Sequence, residues 1–290
     1  MLRRFSRVAA FVALAVGIAF VAYPFVSNAI IRAAQEKVAK ENIVIATSTD
    51  DGRLAEEAAA ADEYNDALSN SRTIVTDPFD PDASNSVLGE YDSILDIAGD
   101  GVMASIEIPE IGIFVPLYHG TSDGALAKGA GHLPQTSLPV GGASTHCVVA
   151  GHTGLPSVRI FDDLDRMHEG SIIINVLGKR LGYEVYGIEV VEPDETDSLA
   201  IAEGRDLLTL VTCTPYGVNS HRLLVHAERC ELPAELASAP AGQLVASPPI
   251  WKRPLVIAAI VFFAALAWRL VARRARRDYV SKPKHGGRDR

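Results

Sequence analysis

The stretch Thr209–Arg229, TLVTCTPYGVNSHRLLVHAER, reads as a strand, a turn and a second strand. Leu207 to Val211 is an apolar run, Pro215-Tyr216-Gly217 carries turn residues, and Arg222 to Ala227 returns to apolar character. Cys213 ends the first strand, and the loop returns the chain at His221 and Arg222. A cysteine in a strand is most often a small packed hydrophobe. At a strand end it also suits a nucleophile facing a cleft. If the two strands pair, Arg222 approaches Cys213, where a guanidinium favours a thiolate and can donate to an oxyanion. An ordinary ion pair with one of the many acids is the competing reading of Arg222. Alternation sends His221 and Arg222 to opposite faces.

Upstream, short β-like runs separated by turn residues continue this pattern. Strands are predicted near Met103–Ile108, Ile113–Leu117, Thr145–Ala150, Ser171–Val176, Lys179–Val191, Leu207–Thr212 and Arg222–Glu228. GKRLGY reads as a hairpin turn and FDDLDRM as a helical turn before Gly170. Seven or eight short antiparallel strands within about 130 residues predict one closed barrel or a sandwich. Among the histidines, His152 leaves the strand Cys147–Ala150 into a Gly/Pro loop, a setting that exposes an imidazole to a cleft for acid–base work. His132 in GAGHLP has a similar setting and is its chief rival. His119, His146, His168 and His226 read as surface or strand residues, and His285 lies in the C-terminal tail.

The ends of the chain have a different composition. Residues 8–31 contain no charge, and about 20 apolar residues suffice to cross a bilayer. A transmembrane helix is predicted there, with a cleaved signal peptide as the alternative. A second, shorter apolar block makes 251–271 a further transmembrane helix, its flanking Lys252, Arg253 and Arg269 snorkelling to the interfaces. Basic residues at 1–7 and in the tail 272–290 place both termini in the cytoplasm and the middle outside, in a two-pass cell-membrane protein. Of the 27 Lys and Arg, three precede Val8 and nine lie from Arg269 onward, with two of the 36 acids; the stretch between carries a net charge of −19. Such an acidic ectodomain argues against nucleic acid as a partner.

Residues 32–100 read as a helical stalk, or a helix packed on the domain's flank, with a break at Thr47–Gly52 and an irregular Asp/Pro loop at 76–82, TDPFDPD. Residues 101–230 form the β domain, and 231–250 a Pro/Ala/Ser linker. Cys147, Cys213 and Cys230 allow at most one disulfide, so at least one thiol is left over. No CxxC or HExxH spacing exists, and no metal or cofactor is expected.

LVTCTPYGVNSHRLLVHAER, with VVAGHTGLP upstream, resembles the sortases, the cysteine transpeptidases of the Gram-positive surface. Their pattern is a His in an A-G-H-x-G loop, then T-L-x-T-C, then an Arg about nine residues on; here these are His152, Cys213 and Arg222. The resemblance covers about Gly101 to Arg229 and implies a closed eight-stranded β-barrel. The hydrophobic C-terminal block and TDPFDP make the chain similar to class C, the pilin-polymerising sortases. Carried over, Asp77, Pro78 and Phe79 form the lid, Phe79 covering Cys213 and Asp77 pairing with Arg222; Cys147 and Cys230 fall outside the motif and are structural. The resemblance implies nucleophilic acyl transfer without a cofactor. Cys213 attacks the Thr-Gly carbonyl of an LPxTG-type (Leu-Pro-x-Thr-Gly) sorting signal, Arg222 and a backbone N–H hold the oxyanion, and His152 serves the leaving and entering amines. A Lys amine of another pilin subunit then resolves the thioester. Thr212 borders the site and is expected to position substrate. A sortase that joins surface proteins to peptidoglycan, and a membrane-tethered β-barrel binding module with Cys213 buried, are the alternatives.

Overall fold

A computed structural model of the chain describes residues 2–71, 73–80, 90–153, 160–167 and 170–243, and beyond them Phe263 and Arg269 alone. The predicted span 251–271 and tail 272–290 otherwise lie outside the described residues, as do His168 and residues 81 and 82 of the lid.

The first apolar run and the stalk are one helix, α1 (Leu2–Ser48), with Pro24 inside it. The stretch Val16–Ser48 is long and apolar enough to cross a membrane. Beyond Arg32 the helix changes role. Gln35, Ala39, Asn42 and Ala46 recur at helical spacing and are buried, so this half lies against the domain's flank rather than standing free. Arg32 Nη2 donates to Gly112 O at 2.6 Å and Asn42 Nδ2 to Val102 O at 3.1 Å. The chain breaks at Thr49 and Asp50, and Asp50 caps α2 (Asp51–Ser69) by accepting from Arg53 N. Tyr64, Asn65 and Leu68 bury the end of α2.

Eight strands follow: β1 (Val102–Ile108), β2 (Ile113–His119), β3 (Ala130–His132), β4 (Thr145–Ala150), β5 (Ser171–Val176), β6 (Lys179–Val191), β7 (Asp206–Thr214) and β8 (His221–Cys230). Among the described residues, two short α-helices flank these strands, α3 (Asp123–Leu126) before β3 and α4 (Ala234–Ser238) after β8. The strands close into a barrel in the order β1-β2-β3-β4-β7-β8-β6-β5. The all-antiparallel expectation fails at two places, because β2 pairs with β3 and β4 with β7 in parallel. The first parallel pair goes with the three-residue β3, too short to show as a strand in the sequence. The second arises because β5 and β6 fill the other side of the barrel before the chain returns as β7.

Alternation divides the apolar side chains into two clusters. Val149, Leu208, Leu210 and Val225 enter the barrel interior with Ile106, Ile172 and Phe161. Val148, Val211 and Leu224 point outward and are covered by Leu133, Leu199, Val75 and Phe79. The outer face of β4, β7 and β8 is therefore a second small core, closed partly by the loop before residue 80. The expected linker is also partly structured. Arg180 Nη1 donates to Leu236 O and Ala239 O, and Gly242 N to the buried carboxylate of Glu107 at 2.8 Å, which fastens residues up to Gly242 onto the barrel.

Candidate active site

Strand register alone gathers three of the sequence-predicted residues. The parallel pairing of β4 and β7 aligns Ala150 with Val211, and Gly151 N donates to Val211 O at 3.1 Å. Two residues further along both strands, this register sets His152 beside Cys213. The antiparallel pairing of β7 and β8 puts Cys213 opposite Arg222. His152, two residues past the end of β4, thus falls in one row with Cys213 on β7 and Arg222 on β8. His221 is turned away, its Nε2 3.2 Å from Glu192, so the loop returns Arg222 and not His221 to the thiol.

The loop of Asp77, Pro78 and Phe79 packs against this row. Asp77 accepts from Arg222 Nε at 2.8 Å and Nη2 at 2.6 Å, a two-pronged pair whose side chains are only 13% and 12% exposed. Arg222 Nη1 donates to Asn219 O and His221 O, which engages four of its five N–H groups. The Phe79 ring lies 5.2 Å from the Arg222 guanidinium and 5.8 Å from the His152 ring, so it bridges the two ends of the row. Pro78 beside it is buried. The lid is held further back as well: Thr76 N and Oγ1 both donate to Gln135 Oε1 at 3.0 Å, and Thr196 Oγ1 donates to Val75 O at 2.8 Å.

These surroundings set the titration of the row. Burial pushes the Cys213 thiol up; Arg222 opposes this and Asp77 adds to it. Burial also pushes His152 down, against the charge of Asp123 at the start of α3. Under the closed lid both groups favour their neutral forms.

His132, the rival of His152, is excluded by burial. It is inaccessible, its Nε2 donates to Ser137 O at 2.9 Å, and its Nδ1 lies 2.8 Å from the Tyr91 hydroxyl. Desolvation drives its pKa down to about 3, and it braces the segment that re-enters the domain after the lid. Thr212, expected to position substrate, borders Cys213 on β7. It is buried, and its hydroxyl donates to Gly151 O at 2.7 Å, so it holds the loop that carries His152. That loop has two supports the sequence reading did not single out. The Phe161 ring would meet a Cβ on Gly151 at 2.5 Å, and Phe161 N donates to His152 O at 3.1 Å. Thr153 Oγ1 donates to Asp162 at 3.1 Å. Gly151 precedes His152 in the A-G-H motif, and its close approach to Phe161 is the physical reason for a glycine there. Cys147 is buried in the barrel interior, its thiol pushed well up by burial, Cys230 is partly exposed at the end of β8, and all three cysteines are free thiols.

A closed eight-stranded barrel with a Cys, a His and an Arg aligned on its outer face has the layout of a thiol-dependent enzyme. The comparisons with known proteins name the group. The sortase domain family matches residues 106–230. The crystal structure of sortase C-1 from Actinomyces oris is 47% identical, with a TM-score of 0.57, covering 62% of this chain and 99% of that one. The Pilus Island 1 sortase C2 of Group B Streptococcus is 41% identical, with a TM-score of 0.57, over 63% of this chain and all (100%) of that one. Sortase A of Streptococcus agalactiae is 29% identical over 131 residues, 44% of this chain, and the chain spans only 52% of that relative's length. The chain belongs to the sortase family, and the solved structures it resembles are class C sortases.

Proposed function

We propose that this chain is a membrane-anchored class C sortase that polymerises pilin subunits. The observation that carries this reading is the lid: Asp77 engages Arg222 with both oxygens while Phe79 lies against Arg222 and His152. A guard over this row is useful where the thiol beneath it reacts. After substrate displaces the lid, the Cys213 thiol passes its proton to His152 and attacks the Thr carbonyl of an LPxTG-type signal as a thiolate. Arg222, freed from Asp77, and a backbone N–H hold the oxyanion. The Thr–Gly C–N bond breaks, and His152 gives its proton to the leaving glycine amine. A pilin Lys amine then attacks the thioester, its proton passes to His152, and the C–S bond breaks to return the thiolate. The apolar stretch of α1, and the block at 251–271, hold the domain at the outer face of the membrane with both termini inside.

The test is incubation of the chain with a sorting-signal peptide, followed by mass spectrometry of Cys213. An acyl adduct of the Leu-Pro-x-Thr fragment on Cys213, resolved when a pilin bearing the acceptor Lys is added, supports the reading. Absence of an adduct, even with Asp77 replaced to open the lid, refutes the catalytic role. Resolution by a peptidoglycan-type amine but not by pilin would move the chain to the wall-anchoring sortases.

A further inference from the structure

Away from the candidate active site, four polar side chains form a line across the outer face of the sheet. They are His146 on β4, Thr209 on β7, His226 on β8 and Glu189 on β6. His146 Nδ1 lies 2.9 Å from Ala200 O, and its Nε2 lies 2.7 Å from Thr209 Oγ1. Thr209 Oγ1 is 2.8 Å from His226 Nδ1, and His226 Nε2 is 3.1 Å from Glu189 Oε1. His146, Thr209 and His226 are all buried, and Glu189 reaches the surface. Both ends of the line land on the segment joining β6 to β7. Ala200 belongs to that segment, and so does Ser198, whose hydroxyl bonds the Glu189 carboxylate.

A hydrogen count exposes the unusual feature of this line. Its four contacts need four hydrogens. The Ala200 carbonyl and the Glu189 carboxylate can only accept, while two neutral imidazoles and one hydroxyl supply three hydrogens. Whichever way the Thr209 hydroxyl turns, one contact then sets two acceptors against each other. An additional proton completes the line. The His132 network shows the balanced case: its contacts to Ser137 O and the Tyr91 hydroxyl need two hydrogens, and one imidazole and one phenol supply both.

We propose that His146, Thr209, His226 and Glu189 form a proton-dependent tether that fastens the β6–β7 segment to the sheet when one extra proton is bound and releases it when that proton leaves. The surroundings place the proton. Desolvation holds His146 down to about 4, against the help of Ala200 O, so it stays neutral with its hydrogen on Nδ1. The hydrogen bond from Ser198, and then His226, keep Glu189 below the ordinary carboxylate range, so it stays charged. The hydrogen that the line lacks therefore falls between Thr209 and the Glu189 carboxylate. The other groups facing His226 are Tyr186, stacked on it at 6.0 Å, and Arg205, which lies 5.0 Å over Tyr186 and is paired with Glu228 at 2.8 Å.

The tether reaches the lid through the segment it holds. Leu199 packs in the outer cluster with Val75 and Phe79, and Thr196 donates to Val75 O. Acid conditions fasten the segment and the lid behind it, and alkaline conditions loosen both. This inference rests on the placement of the β6–β7 segment and stands whether or not Cys213 is the nucleophile.

Hydrogen exchange of residues 192–205 in the full chain, corrected for intrinsic rates, tests it at about pH 5.5 and about pH 8.5, either side of the ordinary histidine range. The wild-type protection factor should fall about tenfold at the higher pH, roughly the worth of one hydrogen bond. Glu189→Gln supplies the missing hydrogen from its amide, so its protection should be the same at both values. Thr209→Val cuts the line and should give low protection at both. Side-chain nitrogen spectra should show His226 doubly protonated in the wild type at the lower pH and His146 neutral throughout. Wild-type protection that ignores pH, a Glu189→Gln chain that follows the wild type, or a neutral His226 at the lower pH would each overturn the tether.

Discussion

At the scale of single residues, Asp77 acts both on the Cys213 thiol and on its neighbour Arg222. Asp77 raises the Cys213 thiol and occupies Arg222, which would lower it. Asp77→Asn keeps the shape of the side chain and removes the charge. The pH profile of Cys213 labelling by a charged methanethiosulfonate should therefore move to lower pH, with faster labelling at neutral pH. A profile that stays in place would show that Asp77 does not govern the thiol. Arg222→Lys keeps the charge but loses the planar fork, and turnover on a sorting-signal peptide should fall by about a hundredfold or more. Near-wild-type turnover there would remove Arg222 from the oxyanion. Thr212 acts one step back, through Gly151 O. Thr212→Val should lower kcat with little change in KM, because His152 is displaced while the substrate surface is not, and Thr212→Ser should restore most of the loss. A change confined to KM would return Thr212 to the substrate-positioning role that its place beside Cys213 first suggested.

At the scale of elements, what the sequence revealed followed from what each element buries. Strands β4, β5 and β6 carry apolar runs between turn residues, and their predicted bounds match those found. The pause between α1 and α2 was legible because Thr49 and Asp50 break an Ala/Glu-rich helical pattern and Asp50 then caps. The parallel pairings were not legible, since periodicity says which face a residue takes and nothing about which strand lies alongside. His132 and His152 share a Gly-flanked setting, and only the burial of one separates them. Phe161 carried no signal because its partner is a glycine, which leaves no mark of contact in a sequence. That contact yields an element-scale prediction. Gly151→Ala drives a methyl into the Phe161 ring and should destabilise the domain by about 1–3 kcal/mol in denaturant unfolding. Gly151→Ala combined with Phe161→Leu should recover part of that loss. Equal stability of Gly151→Ala and wild type would mean that the loop yields without cost.

At the scale of the whole molecule, the buried histidines His132 and His146 make the fold sensitive to acid. His132 is held neutral down to about 3 and His146 down to about 4, against an ordinary value of 6.5 for a histidine in an unfolded chain. Below pH 6.5 the unfolded chain therefore binds protons that these two residues refuse in the folded state. Their contribution is whole above that value and shrinks as the pH falls toward their folded values, by about 1.4 kcal/mol per pH unit for each histidine. The proposed tether runs the other way, since one extra hydrogen completes the contacts of the line from His146 to Glu189. Acid should therefore weaken the domain globally while tightening the β6–β7 segment locally. Denaturant midpoints measured at about pH 7, 6 and 5 should fall steadily, and a His132→Gln chain, though less stable at every pH, should lose about half of that slope. The same slope in both chains would show that the acid sensitivity comes from the carboxylates and not from the buried imidazoles.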